Sequence, residues 1–363
     1  MVKQNNYCVI MAGGIGSRFW PMSRTSFPKQ FHDILGTGNT LIQMTYKRFR
    51  RVCPAENILV VTNEKYRSLV LEQLPDLQSD QVLCEPYMRN TAPCIAYANF
   101  KIEPRNAQAR IIVAPSDHLV TDETAFVETI NIALAEASDA DNLVTLGIKP
   151  HRPDTGYGYI QFEEKENAAN PNIKQVKTFT EKPDIDLANK FLASGDFYWN
   201  SGIFIWSIES IQAAFAAHLS DVFNLFAEER AAFNTPNEAA AIESIYLACD
   251  NISIDYGVME KAKNVSVVLS DFGWSDLGTW GSLYDHLPLD LHNNGVVGEK
   301  TMLYNCTNNV VYSSDDKLVV LDGMNGFILV DTKDALLVCK KNDEQKIKKF
   351  VHDIKMSKLD DFI

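Results

Sequence analysis

Short apolar runs alternate with longer amphipathic stretches through the first half of this 363-residue chain, and this alternation limits its fold more than any other feature. The apolar runs are at residues 7–11, 58–61, 110–114 and 143–146. The amphipathic stretches, at 41–52, 64–74, 91–100 and 123–137, have helical periodicity. Buried strands separated by helices are typical of a parallel sheet covered on both faces. We therefore predict a doubly wound α/β fold, with its ligand crevice beyond the carboxyl ends of the strands.

The pattern changes twice after residue 155. Three runs indicate antiparallel strands, at 156–162, 173–180 and 197–206, so the sheet should be mixed but mostly parallel. Beyond residue 287, closely spaced short β-type runs predict a small all-β appendage, either a short β-helix or a meander. An amphipathic helix at 343–354 should close it. We predict two domains, 1–287 and 288–363.

Composition excludes several classes of protein. The chain is 46% hydrophobic and 22% charged, as expected for a globular domain. Its net charge of -13 argues against binding to nucleic acid or to an anionic membrane surface. The seven cysteines form no CxxC pair, and no apolar run approaches the length of a membrane span. These features predict a cytoplasmic protein.

The charge is nevertheless uneven. Residues 1–55 contain eight Lys or Arg and a single acid, Asp33. An acidic chain can therefore bind a phosphate-bearing small ligand, because its positive charge is concentrated near the N-terminus.

A glycine-rich loop follows the first predicted strand, and residues 12–31 read AGGIGSRFWPMSRTSFPKQF. Gly13, Gly14 and Gly16 let backbone N–H groups approach an anion closely. Phe19 stands where a dinucleotide-binding loop has its third glycine, and the GK[ST] of a Walker loop is missing. The loop therefore predicts another kind of phosphate site.

Three cations, Arg18, Arg24 and Lys29, follow these glycines. Arginine offers forked donors to phosphate oxygens and lysine a mobile point charge, which suits a triphosphate whose terminal diphosphate leaves. Replacing Lys29 by alanine is expected to cost far more activity than replacing Lys348, which lies on the closing helix. An ordinary solvated basic loop is the alternative.

The loop resembles the signature of the sugar-1-phosphate nucleotidyltransferases, and its WP, SR and PKQF details resemble the bacterial mannose-1-phosphate guanylyltransferases. The resemblance continues to about residue 281 and more weakly to the end. It implies a Rossmann-like nucleotidyltransferase domain with a short left-handed β-helix as the appendage. That appendage either mediates homodimer contacts or caps the catalytic domain.

The segment EPYMRNTAP, at residues 85–93, matches the family next. Guanine offers N1–H and N2–H₂ on one edge, and a carboxylate accepts both, so Glu85 is predicted to read the base. Asn90 either binds the nucleotide or caps a helix. The predicted nucleotide-binding residues are Ala12, Gly13, Gly14, Gly16, Ser17, Arg18, Lys29, Glu85, Asn90, Ala92 and Ser116.

Two aspartates are candidate ligands of Mg²⁺, the cofactor that the resemblance implies. Asp117, in the segment APSDH, follows an apolar strand, and magnesium prefers carboxylates together with phosphate oxygens. A helix or turn cap is the alternative role for Asp117. The resemblance assigns the second carboxylate to Asp276, within GWSDLGTW.

The sugar site is predicted from three further segments, DTGYGYI, TEKP and WNSGIF. Glu181 suits two sugar hydroxyls and Lys182 the sugar phosphate, although a surface salt bridge is the alternative. The predicted sugar-binding residues are Gly156, Tyr157, Glu181, Lys182 and Asn200.

The reaction implied is GTP plus α-D-mannose 1-phosphate giving GDP-mannose and pyrophosphate, by magnesium-assisted in-line attack without a covalent intermediate. A phosphate monoester is largely dianionic at pH 7, so no enzyme base is needed. Arg18, Lys29 and Lys182 are the predicted catalytic residues. Transfer to another sugar 1-phosphate or from another base is an alternative, as is a non-catalytic regulatory subunit that binds nucleotide sugars.

Overall fold

The computed structural model of the chain describes residues 2–138, 141–164, 170–314 and 317–363. Contacts between Cα atoms divide these residues into two compact units, each assembled from separate segments. Unit 1 comprises the described residues of 1–13, 46–116 and 120–274, and unit 2 those of 14–45, 117–119 and 275–363. The glycine-rich loop after Gly13 thus belongs to the unit that contains the C-terminus. The domain boundary at 287/288 stays a prediction.

The helices follow the sequence pattern closely, with small shifts at their ends. Within the described residues they are α1 (Leu41–Phe49), α2 (Arg67–Gln73), α3 (Thr91–Ile102), α4 (Glu123–Glu136), α5 (Ile185–Ser194), α6 (Ile208–His218), α7 (Ser220–Glu228), α8 (Glu238–Ala248), α9 (Trp280–Tyr284) and α10 (Ile347–Met356). A 3₁₀ turn at Glu64–Tyr66 precedes α2 where one continuous helix was predicted. Across the described part of the chain, no helix has the length and apolar character needed to cross a bilayer.

Unit 1 is built on a nine-stranded mixed sheet. The strands of the chain up to residue 275 are β1 (Asn6–Met11), β2 (Ile58–Asn63), β3 (Val82–Glu85), β4 (Arg110–Pro115), β5 (Leu119–Val120), β6 (Leu143–Ile148), β7 (Tyr159–Phe162), β8 (Ile173–Thr180), β9 (Phe197–Ser207), β10 (Val265–Ser270) and β11 (Trp274–Ser275). The sheet order is β3-β2-β1-β4-β9-β6-β10-β8-β7. The short strands β5 and β11 lie where the chain passes between units.

The parallel part of the sheet runs from β3 to β4, and β6 and β10 form a second parallel pair. Strand β9 runs antiparallel to both β4 and β6, and β8 and β7 add antiparallel edge pairs. The predicted mixed, mostly parallel sheet is confirmed.

The core of unit 1 forms on both faces of β1. Cys8, Val9 and Ile10 are completely buried, as a central parallel strand requires. Helix α3 is buried almost all round, since each residue from Ala92 to Ile102 is buried. Most of these residues are apolar, as expected for a helix that lies inside the protein. This packing fixes the carboxyl ends of β1 and β3, where the predicted site residues begin.

The C-terminal part of unit 2 is a stack of short parallel strands. They are β12 (Gly295–Val297), β13 (Thr301–Tyr304), β14 (Val310–Ser313), β15 (Val319–Asp322), β16 (Phe327–Asp331) and β17 (Leu336–Lys340). Strands β12, β14 and β16 pair in parallel in one sheet, and β13 pairs in parallel with β15 in another. Alternation between two parallel sheets is typical of a β-helix and excludes the meander. The last pair, β16 with β17, is antiparallel.

Buried asparagines tie successive turns of this stack together. The side chain of Asn309, only 1% exposed, donates to Asn294 Oδ1 at 2.8 Å and to the Met324 carbonyl at 3.0 Å. Its Oδ1 accepts the Phe327 N–H at 2.9 Å. One amide therefore satisfies polar groups from three turns.

The glycine-rich loop and the β-stack share one hydrophobic core. Phe19 packs on Trp280 with ring centroids 4.8 Å apart, and both side chains are fully buried. Val310, Ile328 and Ile347 belong to the same cluster. The loop of unit 2 is thus supported by residues near the C-terminus.

Replacing the buried amide should destabilise unit 2. Asn309→Ala removes three side-chain hydrogen bonds, although Asn294 Oδ1 and the Met324 carbonyl keep the N–H groups of residue 309 and Thr307. At about 0.5–1.5 kcal/mol for each lost bond, we expect a loss of roughly 2–4 kcal/mol in the free energy of unfolding. Urea denaturation monitored by tryptophan fluorescence measures it. Asn325→Ala, at an exposed position of the same stack, is the matched control and should change stability little. Equal stabilities of the two variants would contradict the assigned role of Asn309.

Candidate functional site

The glycine-rich loop turns sharply at Gly16 to bring Lys29 beneath it. Gly16 has a φ of +72°, and a Cβ atom there would lie 2.5 Å from the Cβ of Lys29. The Lys29 N–H also donates to the Ile15 carbonyl at 3.1 Å. Only glycine combines this backbone conformation with such a close approach. Gly14, in contrast, has no atom within 4 Å of a Cβ position.

The ammonium of Lys29 is buried and makes three contacts. Its Nζ lies 2.8 Å from Asp117 Oδ2 and donates to the carbonyls of Asp276 and Leu277 at 2.9 and 3.0 Å. An ammonium group has three N–H donors. Lys29 therefore joins the segments that carry the two predicted metal ligands.

Asp117 stays ionised because of this neighbour. Burial opposes its charge, but the Lys29 ammonium and then His118 outweigh burial and hold the pKa of Asp117 below its ordinary value. Its side chain keeps 28% of its surface exposed. Asp117 is thus an anionic group at the cavity wall.

The segment around Asp276 is held in an unusual conformation. Leu277, a buried residue, has a φ of +44°, which is strained for a side chain branched beyond Cβ. Asp276 Oδ1 accepts the Gly278 N–H at 2.9 Å, and a Cβ at Gly278 would lie 2.6 Å from Asp276 Oδ2. A side chain at position 278 would therefore clash with the Asp276 carboxylate, so glycine is needed there.

These side chains surround a cavity of about 340 Å³ within unit 2. It is lined by Gly16, Ser17, Arg18, Lys29, Asp117, His118, Asp276, Gly278 and Lys348. Six of these residues, Gly16, Ser17, Arg18, Lys29, Asp117 and Asp276, were predicted as site residues from three separate motifs. Lys348, on the closing helix, also lies on the wall of this cavity.

Arg18 and Arg24 have different surroundings. Within the described part of the chain, the buried Nε of Arg18 has no hydrogen-bond partner. Arg24 is absent from the cavity wall and forms a two-pronged ion pair with Asp334. The expectation that all three cations of the loop serve one phosphate site therefore fails for Arg24, because its guanidinium pairs with the side chain of Asp334.

Glu85, in unit 1, is a buried carboxylate with one defined partner. It ends β3, its surface is 8% exposed, and its Oε1 accepts the Tyr246 hydroxyl at 2.9 Å. A Cβ placed on Gly13 would lie 3.7 Å from the other oxygen, Oε2. Burial raises the pKa of Glu85 to about 7, although the Tyr246 hydrogen bond opposes the shift.

The other predicted nucleotide residues of unit 1 make contacts within the fold. Asn90, with a φ of +69°, caps α3 by accepting the Thr91 N–H. The N–H of Ala12, of Ala92 and of Ser116 donates to a backbone carbonyl in each case. Helix capping, the alternative role of Asn90, is thus observed, and its nucleotide role stays a prediction.

A second polar cluster of unit 1 contains the predicted sugar residues. Glu181 is paired with the adjacent Lys182, which has a φ of +44° and a largely exposed side chain. A Cβ at Gly158 would lie 2.5 Å from Glu181 Oε2, so glycine is needed there. Asn200 donates to Asp255 Oδ1 at 2.8 Å.

Asp255 was not among the site residues predicted from the sequence. It is partly buried at the start of a π-helical turn, Asp255–Met259. Burial, followed by the charge of Glu181, raises its pKa to about 6. The segment SIDYGVME in the sequence could have singled it out, since it holds an aspartate in an apolar context.

Gly156 and Tyr157 flank this cluster. The Gly156 N–H donates to Asp154 Oδ1 at 2.8 Å. The Tyr157 ring packs edge-on against Trp199 and Trp274, with centroids 4.9 and 5.3 Å apart. Their contact with a sugar stays a prediction.

Comparison with known families separates the chain into two regions. Residues 7–293 match the family described as nucleotidyl transferase, and residues 303–354 match the mannoseP isomerase/GMP-like beta-helix domain.

Curated relatives are similar over nearly the whole chain. A Klebsiella pneumoniae mannose-1-phosphate guanylyltransferase is 37% identical over 98% of this chain and 75% of its own length. An Escherichia coli protein of the same name is 37% identical over 96% of the chain and 74% of its own length. A crystal structure from Thermus thermophilus, described as mannose-1-phosphate geranyltransferase, has a TM-score of 0.88 and 30% identity, covering 97% of this chain and 100% of that one.

These matches confirm the resemblance found in the motifs, and they extend it through the β-helix-like region. The chain belongs to the nucleotidyl transferase family.

Proposed function

We propose that this protein transfers GMP from GTP to α-D-mannose 1-phosphate, giving GDP-mannose and pyrophosphate. The observation that supports this best is the cavity of unit 2, where Asp117, Asp276, Arg18, Lys29 and the glycine-rich loop meet. Anionic and cationic side chains around a loop of backbone donors suit phosphate groups accompanied by a metal ion. The names of the most similar relatives point to the same reaction.

The chemistry requires no enzyme nucleophile or base. A phosphate oxygen of the sugar phosphate forms a bond to the α-phosphorus of GTP, and the bond from that phosphorus to the bridging oxygen of the β-phosphate breaks. Pyrophosphate leaves with the bonding electrons. The protein has to align two anions and neutralise their charge, which it does through positioned donors.

Mg²⁺ is the proposed cofactor, and the donor set fits it. Asp117 and Asp276 supply carboxylate oxygens at one cavity, and magnesium takes one or two carboxylates plus phosphate oxygens. No group of three or more His, Cys, Asp or Glu side chains suited to a metal occurs in the described ranges, so the substrate would complete the coordination. When bound, the ion would neutralise charge on the phosphates.

Glu85 is proposed to read guanine. Its carboxylate can accept the N1–H and N2–H₂ of the base, and Tyr246 holds it in place through the Oε1 hydrogen bond. A buried carboxylate rejects a base that offers no matching donors, because its charge would be left unpaired.

The sugar phosphate is assigned to the second cluster of unit 1. Lys182 provides a mobile positive charge for the phosphate, and Glu181 and Asn200 provide polar groups for the hydroxyls. Asp255, which accepts a hydrogen bond from Asn200, orients that amide.

Pairing of two copies and a cytoplasmic location also belong to the proposal. The seven cysteines are free thiols, which suits a reducing compartment. Met302 and Val320 lie opposite each other on β13 and β15, and both are about half exposed, as is Tyr304. An exposed apolar sheet face supports contact with a second copy.

Pyrophosphate release from a matrix of nucleoside triphosphates and sugar 1-phosphates tests the reaction. We expect release only with magnesium, and fastest with GTP and mannose 1-phosphate. GDP-mannose should form in equal amount, as measured by ion-exchange chromatography. Faster release with another nucleoside triphosphate or sugar 1-phosphate would identify that pair as the substrates and contradict the proposal. If no pair released pyrophosphate, the result would favour the non-catalytic regulatory subunit.

Asp276→Asn tests the metal assignment. The amide oxygen can still accept the Gly278 N–H, so the fold should be retained, while the charge is lost. We expect turnover to fall by about 100-fold or more, with the melting temperature nearly unchanged. Binding of Mn²⁺, measured by electron paramagnetic resonance, should weaken as well. Asp271→Asn, at an exposed position, is the control. A near-normal rate at saturating magnesium would contradict the assignment.

Glu85 should make GTP use depend on pH. With a pKa of about 7, its carboxyl is protonated below neutrality and cannot accept both guanine donors. We expect kcat/KM for GTP to fall about tenfold from pH 8 to pH 6 relative to Glu85→Gln, which does not titrate. The ratio of the two profiles cancels the titration of the substrate phosphates. Glu72→Gln, an exposed substitution, should follow the normal profile. A flat ratio would show that Glu85 does not control base binding.

A further inference from the structure

Lys348 brings a C-terminal helix into the phosphate cavity. It lies at the beginning of α10 and lines the cavity together with Gly16, Ser17 and Arg18. The side chain is exposed to solvent rather than buried in the core. An exposed lysine at the wall of a cavity can move its charge to meet a ligand.

The apolar face of α10 fixes where Lys348 lies. Ile347 is 1% exposed and belongs to the same core as Phe19 and Trp280. Further along the helix, Phe350, Val351 and Ile354 pack against this core. The helix contacts the turn at Ser17–Phe19, directly after the last glycine of the loop.

Two more contacts tie the C-terminal segment to this loop. Arg24 forms its ion pair with Asp334, and the Trp20 indole N–H donates to the Phe362 carbonyl at 2.6 Å. These contacts at Trp20 and Arg24 add to those between α10 and the turn at Ser17–Phe19. The position of Lys348 does not depend on α10 alone.

A leaving diphosphate in this cavity needs a cation in addition to Lys29. Lys29 makes its three contacts with Asp117 and two backbone carbonyls, so its donors serve the protein. A leaving diphosphate carries several negative charges that the cavity must stabilise. Arg18 and Lys348 also lie on the described wall of this cavity, and the Lys348 side chain is exposed there.

We propose that Lys348 is a catalytic residue that contacts the terminal phosphates of the triphosphate and stabilises the leaving pyrophosphate. The inference rests on the proposed function, since it assigns a cation to the departing group of that reaction. It gives the β-helix-like region a direct part in the chemistry: the region carries the helix that completes the phosphate cavity.

The test compares Lys348→Ala with Lys349→Ala. Lys349 is the next residue of the same helix, and it is also exposed but does not lie on the cavity wall. Lys349→Ala is therefore a control that makes the same change in net charge and in helix composition. In the reverse reaction, GDP-mannose plus pyrophosphate, we expect Lys348→Ala to raise KM for pyrophosphate by about 10- to 100-fold. The forward kcat/KM for GTP should fall by a similar factor, and Lys349→Ala should stay within about twofold of the unmodified protein.

Lys348→Arg provides the conservative variant. Because arginine keeps the charge, it should recover most of the lost activity, whereas Lys348→Gln should not. Melting temperatures close to that of the unmodified protein would show that all four variants are folded. Equal kinetics for Lys348→Ala and Lys349→Ala would overturn the assignment.

A binding measurement separates this inference from the proposed reaction. Calorimetric titration of the full-length protein with inorganic tripolyphosphate, without metal, requires no turnover. We expect Lys348→Ala to weaken this binding about tenfold or more and Lys349→Ala to leave it unchanged. If the unmodified protein forms no GDP-mannose but shows this difference, the proposed reaction fails and the phosphate role of Lys348 stands. If tripolyphosphate binds both variants equally, the role of Lys348 fails whatever the reaction.

Discussion

The buried ammonium of Lys29 is the interaction on which the candidate phosphate site depends. It joins Asp117 to the backbone that carries Asp276 and keeps the Asp117 carboxyl ionised. Removing one partner of such a buried pair typically costs about 3–5 kcal/mol, because the other charge is left unpaired. The strained φ of Leu277 persists beside this ammonium, since its carbonyl is one of the three acceptors. The lysine of the PKQF motif thus organises the acidic side of the cavity.

Much of the fold could be predicted from local patterns. The apolar runs at residues 7–11 and 110–114 became adjacent parallel strands, β1 and β4, because continuous burial on both faces requires it. The β-helix-like tail was predicted as one of two alternatives, and only the parallel pairing of β12, β14 and β16 decided between them. Motif order could not show that β9 enters between β4 and β6, since that pairing joins segments far apart in sequence.

The residues of the candidate site were predicted better than their partners. Asp117 was found because its motif follows an apolar strand, whereas Glu85 and Asp276 were found through the resemblance of their segments to the family. Sequence position could not reveal that Asp334 holds Arg24, or that Lys348 lines the cavity, because each contact joins the two ends of unit 2. The positive φ values of Lys182 and Leu277 could not be predicted from the sequence either, since neither residue type favours that conformation.

The discontinuous make-up of unit 2 has a consequence for how the protein is made. The glycine-rich loop is synthesised well before Trp280 and Ile347, which pack with Phe19. Contacts of such large sequence separation form late, because the intervening chain must first be ordered. Until Ile347 has been synthesised, the loop lacks part of its core, although most residues of unit 1 are already present in the nascent chain. Ordering of the phosphate-binding loop therefore has to follow the synthesis of Ile347, so a nascent chain that stops before this residue should lack an assembled phosphate cavity.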